Sequence, residues 1–169
     1  IFSDKKFEAP EETGTTFFEN ALIKAKYYSR KFSLPVISED SGLCVKALGY
    51  KPGIFSSTYS GTNNALENNR KLLNKLKDKK DRSCFYFCTN VFLRKFDDPF
   101  PLFSSSQWNG YIAKESIGKN GFGYDPIFID LQSGLSAAEI SLEKKNSISH
   151  RFRSLKKLEK KINKLNLNE

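Results

Sequence analysis

Four groups of residues in this chain carry side chains that could do chemistry together. The first is acidic: Glu11-Glu12 in a loop-like stretch, Glu19 just behind Thr16, and Glu39-Asp40. Magnesium takes oxygen ligands, usually one or two carboxylates plus the phosphates of its substrate, although acids also favour helix starts for electrostatic reasons alone. The second group, Glu39-Asp40-Ser41-Gly42, reads as an acidic turn between short strands at 36–38 and 43–48. A carboxylate beside a hydroxyl can hold a metal-bound water and a phosphate oxygen side by side. The third, Asn120-Gly121-Phe122-Gly123-Tyr124-Asp125-Pro126, lets backbone approach a ligand at its glycines while the ring between them offers a stacking face. No Gly-Lys-Ser/Thr follows, so it is not a Walker loop. The fourth, Lys145-Asn146-Ser147-Ile148-Ser149-His150-Arg151, holds the single histidine of the chain. At a helix start the dipole disfavours imidazolium, and a neutral ring suits a nucleobase edge better than a phosphate.

The surrounding pattern supplies elements to position these groups. Thr16-Phe17-Phe18-Glu19 has capping-box spacing, and Phe18, Ala21, Leu22, Ala25, Tyr28 and Phe32 recur behind it at helical intervals, up to Ser33-Leu34-Pro35. A helix is predicted over 62–77 from Leu66, Leu73 and Leu76. Two apolar β-rich runs, 84–96 and 102–113, flank an Asp97-Asp98-Pro99 turn, and 127–129 is a further short strand. Ile148, Phe152, Leu155, Leu158, Ile162 and Leu165 mark a last amphipathic helix. Helices and strands interleave around a central hairpin, which predicts an α/β domain with a mixed sheet flanked by helices. With no repeat or linker, residues 1–169 read as one domain.

Bulk composition excludes some functions. The net charge of +9 invites a nucleic-acid partner, but seven cations and one acid between 151 and 164 share their segment with the apolar stripe. A solvated helix face accounts for them, so nucleic acid is not the expected partner. Cys44, Cys84 and Cys88 lack zinc spacing, and four residues along a strand put the last two about 13 Å apart, beyond disulfide reach. Free thiols point to a reducing cytoplasm. No apolar run is long enough to span a membrane.

Taken in order, the motifs resemble the inosine triphosphate pyrophosphatase family over essentially the whole chain. The resemblance is carried by Glu-Glu-Thr-Gly-Thr-Thr-Phe-Phe-Glu-Asn-Ala (11–21) with Lys24-Ala25, by Pro-Val-Ile-Ser-Glu-Asp-Ser-Gly-Leu (35–43), and by Pro-Gly-Ile-Phe-Ser (52–56) with Tyr59 and Gly61. Gly-Phe-Gly-Tyr-Asp-Pro-Ile-Phe (121–128), Ala-Glu-Ile (138–140) and Glu-Lys-Lys-Asn-Ser-Ile-Ser-His-Arg (143–151) complete it. It implies an elongated two-lobed α/β fold, a homodimer, and Mg²⁺-dependent hydrolysis of ITP, dITP or XTP to monophosphate and pyrophosphate. Asp40 matches the family's catalytic acid, a metal ligand and general base. Glu11 matches the second magnesium position, with Glu12 and Glu19 close by as alternatives. Ser41 matches a substrate-contacting hydroxyl, and Lys24 and Lys145 match cations reaching the triphosphate. Phe122 would stack on the purine, framed by Gly123, Tyr124 and Asp125, while His150 and Arg151 match the pair that reads the 6-keto edge.

The sequence departs from the family in places. The usual leading strand, and the loop whose Asn and Lys cradle the triphosphate, have no counterpart here, which implies a fragment or a truncated chain. Glu39 stands for the usual first Asp of the acidic pair, Thr58 stands where Arg is common, and Lys119 and Asn120 alter the approach to the glycine loop. Two other functions compete with the enzyme. One is a chain that holds purine nucleotides through Phe122, His150 and Arg151 without hydrolysing them; the other is a basic nucleic-acid binder using its last helix.

Overall fold

The computed structural model describes residues 8–166. The expectation of a missing leading strand falls outside them. The first helix, α1 (Phe17–Phe32), starts where the capping box predicts: Thr16 Oγ1 accepts from the Glu19 amide at 3.1 Å, and Glu19 Oε2 accepts from the Thr16 amide at 3.0 Å. Ser33 ends it in the left-handed region (φ 54°), and Leu34-Pro35 prevents its resumption. Strand β1 (Val36–Val45) follows, then α2 (Ala65–Lys75), capped by Asn64, whose side chain accepts from the Leu66 and Glu67 amides. Strands β2 (Ser83–Leu93), β3 (Leu102–Ile112) and β4 (Phe128–Asp130) precede α3 (Leu142–Ile148) and α4 (His150–Asn166).

The α/β class is as expected, and the sheet runs in the order β1-β2-β3-β4. Among the described residues every pairing is antiparallel, where interleaved helices and strands predict a mixed sheet. The connection through α2 returns β2 beside β1 in the opposite direction rather than crossing to a parallel neighbour. A second difference bears on the site. Glu39-Asp40-Ser41-Gly42 is not a turn; it lies within β1, opposite Asn90, Thr89, Cys88 and Phe87. Its polar side chains alternate between the two faces of the sheet. Ser38 Oγ donates to the Ala21 carbonyl of α1 (2.5 Å) and Asp40 accepts from Lys24 of the same helix, while Ser41 meets Arg151 of α4.

The two faces bury separate apolar clusters. Ala21 and Ala25 bring α1 close over Val91 and Leu93. On the other face Leu43, Val45, Leu72, Tyr86, Trp108 and Phe128 form the larger core. Gly42 sits at a tight crossing, where a Cβ would collide with the Gly53 carbonyl and the Ser56 hydroxyl. Ser56 Oγ is fixed there, accepting from the Leu43 amide at 2.9 Å. Gly42→Ala is therefore expected to cost about 1–3 kcal/mol, read as a lower urea midpoint at unchanged slope.

The basic helix α4 explains much of the charge. Arg153, Lys157 and Lys161, four residues apart, donate to the carbonyls of Gln107, Ser105 and Phe103, alternate residues of β3. β4 pairs only with the Gly110–Ile112 end of β3, so the cations cap the stretch of edge that β4 leaves open. Capped edges resist strand-to-strand association. Replacing all three cations by Gln is expected to promote concentration-dependent self-association in light scattering, with little loss of helix by circular dichroism.

Candidate active site

The loop at 120–126 is held by its own acid. Gly121 takes a positive φ (81°) that carries the chain against the Asp125 carboxylate, and Asp125 Oδ2 accepts from the Phe122 amide at 2.8 Å. Tyr124 Oη donates to the Ser56 carbonyl (2.9 Å), and Asn69 Nδ2 of α2 donates to the Gly123 carbonyl (3.1 Å). The turn is thus tied to β1's neighbourhood and to α2, while the Phe122 ring remains 64% exposed. Lys145, from α3, ion-pairs with Asp125 and lies over that ring, 4.8 Å from its centroid. Arg151 lies over the same ring at 5.5 Å.

Between this loop, β1 and the start of α4 is a cleft of about 660 Å³, lined by Glu39, Ser41, Tyr86, Phe122, Asp125, Lys145, His150 and Arg151 among others. Arg151 spans its floor, with Nη2 donating to Ser41 Oγ at 3.0 Å and Nε 3.2 Å from Glu39 Oε1. His150 is buried and stacks on Tyr86, its centroid 4.8 Å away and its plane inclined by 6°. Trp108 adds a second ring at 6.4 Å. Burial, reinforced by Arg151 and Lys145, pushes the imidazole pKa down to about 3, so the ring is neutral at pH 7. Its Nδ1 is buried without a hydrogen-bond partner. An unpaired lone pair is tolerated there better than an orphaned N–H. The proton therefore belongs on Nε2, which makes the ring a donor towards the cleft.

That burial has a pH signature. The folded ring protonates near pH 3 and an unfolded one near 6.5, so the stability it contributes is complete above about pH 6.5 and is lost as pH falls towards 3. Denaturant titrations at stepped pH are expected to show His150→Phe losing less stability than the parent between about pH 6 and pH 4.

A second cluster lies on the opposite face of β1. Lys24 Nζ bridges Glu12 Oε1 (2.7 Å) and Asp40 Oδ1 (2.8 Å), and Asp40 Oδ2 is buried with no hydrogen-bond partner. Burial lifts the Asp40 carboxyl above its ordinary value against the opposing pull of Lys24. Burial alone would lower the Lys24 ammonium, but its bonds to Asp40 and Glu12 outweigh that and hold it raised.

The structure thus divides the residues singled out from sequence. Ser41, Phe122, Gly123, Tyr124, Asp125, Lys145, His150 and Arg151 line one cleft. Lys24 and Asp40 meet on the opposite face of the sheet, Asp40 standing one residue along β1 from both Glu39 and Ser41. Lys145 sits at the aromatic end of the cleft rather than beside Lys24. Glu11 is exposed, and the acid that reaches Lys24 is its neighbour Glu12. Tyr86, Trp108 and Asn69, which carry or orient site residues, have no sequence signal beyond ordinary core and helix positions.

Among the described residues no three His, Cys, Asp or Glu side chains come together as a metal centre. Two carboxylates around one cation, with a buried oxygen left unpaired, nonetheless suit Mg²⁺ completed by substrate phosphates. Lys24 is the cation there now. No described helix is long and apolar enough to cross a membrane.

Comparison with known proteins bears on the family and the fold. A match to the Ham1 family covers residues 2–161. The chain is 46% identical over 159 residues to the dITP/XTP pyrophosphatase of Shigella flexneri, covering 92% of this chain and 81% of that protein. Its fold superposes on a HAM1 protein from Coxiella burnetii with a TM-score of 0.89 at 42% identity, over 93% of this chain and 81% of the other. The Ham1 protein of Staphylococcus aureus gives 0.86 at 38% identity, with the same coverage.

Proposed function

The chain belongs to the Ham1 family, and on that premise we propose that it hydrolyses deaminated purine nucleoside triphosphates, of the ITP, dITP and XTP type, to monophosphate and pyrophosphate. The observation that carries the reading is a neutral His150 stacked in an aromatic cleft, with the buried, half-satisfied Asp40 on the opposite face of β1. The base would lie against the Phe122 ring, where Arg151 and Lys145 already gather. His150 Nε2–H would donate to a 6-oxo group and would meet a second donor in the 6-amino group of adenine. Each such mismatch costs about 1–3 kcal/mol, so the pocket favours hypoxanthine and xanthine over adenine.

Asp40 stands between Glu39 and Ser41 along β1, and this reading requires the phosphates of a nucleotide in the cleft to reach past that strand to it. Asp40 would take the proton of a water attacking the α-phosphorus, the α–β phosphoanhydride bond would break, and pyrophosphate would leave. Mg²⁺, held by Asp40 and Glu12 with the phosphates, would supply charge neutralisation for the leaving pyrophosphate. Glu12, from its position, is the better-placed second ligand than Glu11. Lys24 would follow the phosphate charge, while Ser41 and Glu39 hold Arg151 in place.

The proposal includes a homodimer in the cytoplasm, consistent with three buried free thiols; the mass of a single chain in light scattering would contradict the dimer. Hydrolysis in H₂¹⁸O tests the chemistry: the label must appear in the monophosphate and not in pyrophosphate. Label in released orthophosphate would mean attack at the γ-phosphorus and would overturn the assignment.

A further inference from the structure

The cation that occupies the Glu12–Asp40 site points to a device for ordering metal and substrate. Lys24 Nζ lies within 2.8 Å of one oxygen from each carboxylate, and its side chain is only 18% exposed. It approaches from α1, while Glu12 comes from the segment ahead of that helix and Asp40 from β1. Asp40 is more than nine-tenths buried, and its second oxygen has no protein partner. A divalent cation that took the free oxygen of Asp40 and a Glu12 oxygen as ligands at about 2.0–2.1 Å would sit against the ammonium that now bridges the same two carboxylates. Two like charges would then stand a few ångströms apart in a partly desolvated site.

We propose that Lys24 is an exchangeable cation: it occupies the metal position in the nucleotide-free protein and leaves it only when a triphosphate offers its ammonium another anionic partner. Resting on the reading of the site given above, this makes divalent-cation and triphosphate binding mutually dependent. The flexible four-carbon stem of lysine lets its ammonium move between the two anions without moving the helix. Nucleotide-free protein then binds the metal weakly.

Mn²⁺ binding to the nucleotide-free full chain, followed by the electron paramagnetic resonance of free Mn²⁺, tests the idea. Lys24→Met is expected to tighten Mn²⁺ binding at least about fivefold, the low end of typical coupling between sites. Lys24→Arg retains the charge and is expected to leave Mn²⁺ binding as weak as in the parent. Adding Asp40→Asn to Lys24→Met should abolish the gain, which locates it at this site. Equal or weaker Mn²⁺ binding by Lys24→Met overturns the proposal. A check without substitution is the nitrogen-15 signal of the Lys24 ammonium in the parent protein. It should hold its position when Mg²⁺ is added alone and shift when Mg²⁺ and a non-hydrolysable triphosphate are added together; displacement by Mg²⁺ alone would contradict the exchange. Turnover of dITP by the parent is scored separately. Turnover without the Mn²⁺ effect removes the exchange and keeps the enzyme, whereas the Mn²⁺ effect without turnover does the reverse.

Discussion

Asp40→Asn is expected to lower turnover of dITP by about 10³-fold, within the 10²–10⁴ range that a positioned general base contributes, while the protein stays folded. The substitution preserves the volume of a buried side chain and removes its charge. The amide oxygen can still face Lys24, which retains its 2.7 Å bond to Glu12, so no cation is stranded. Asn20 also favours the charged form of Asp40, an interaction that the amide weakens. What disappears is the ability to accept a proton and to hold a divalent cation. Pyrophosphate release, measured alongside the thermal midpoint, checks both halves. A variant retaining more than about a tenth of parental turnover would remove Asp40 from the role of base.

The second large effect concerns the choice of base. His150→Phe keeps an aromatic ring against Tyr86 and near Trp108 but removes the donor that Nε2 presents to the cleft. The ratio of kcat/KM for dITP over dATP is expected to fall by roughly tenfold to a hundredfold, since one lost donor is worth about 1–3 kcal/mol. Most of that loss should come from dITP, because the 6-amino group of adenine had no hydrogen bond to lose. An unchanged ratio would shift base selection to Arg151 and the loop alone. The imidazole is neutral at any pH well above about 3, so discrimination should stay flat between roughly pH 5 and 8 as far as His150 is concerned.

The fold and the site were legible in sequence to different depths. Local signals translated directly: the Thr16–Glu19 capping box opens α1, and the β2–β3 hairpin turns near Asp98, whose carboxylate accepts from the Phe100 amide and pairs with Arg94. Glu39–Gly42 misled because four polar or small residues resemble a turn when only period and propensity are weighed. In β1 their polarity has another cause, since α1 and α4 cover opposite faces, and Asp40 answers α1 while Glu39 and Ser41 answer α4. The short helix α3 escaped notice because its seven residues bury none of their number, leaving no apolar stripe. Ile148 belongs to it, although its spacing fits the last helix.

Long-range packing could not be read at all. Tyr86 and Trp108 are separated from His150 by a helix and several loops, and nothing in their spacing brings three rings together. The choice between Glu11 and Glu12 was undecidable for a related reason. Neighbouring residues in an irregular segment point in different directions, and only the position of Lys24 shows which one faces the site.

Base recognition and water activation would fall on opposite faces of one strand. The most direct test compares pyrophosphate release from dITP, XTP, dATP and dGTP by this chain with Mg²⁺ at mildly alkaline pH. Release from dITP and XTP is expected to be at least about a hundredfold faster, in kcat/KM, than from dATP, the discrimination that two mismatched contacts supply. Equal release from dATP, or none from dITP, would contradict it.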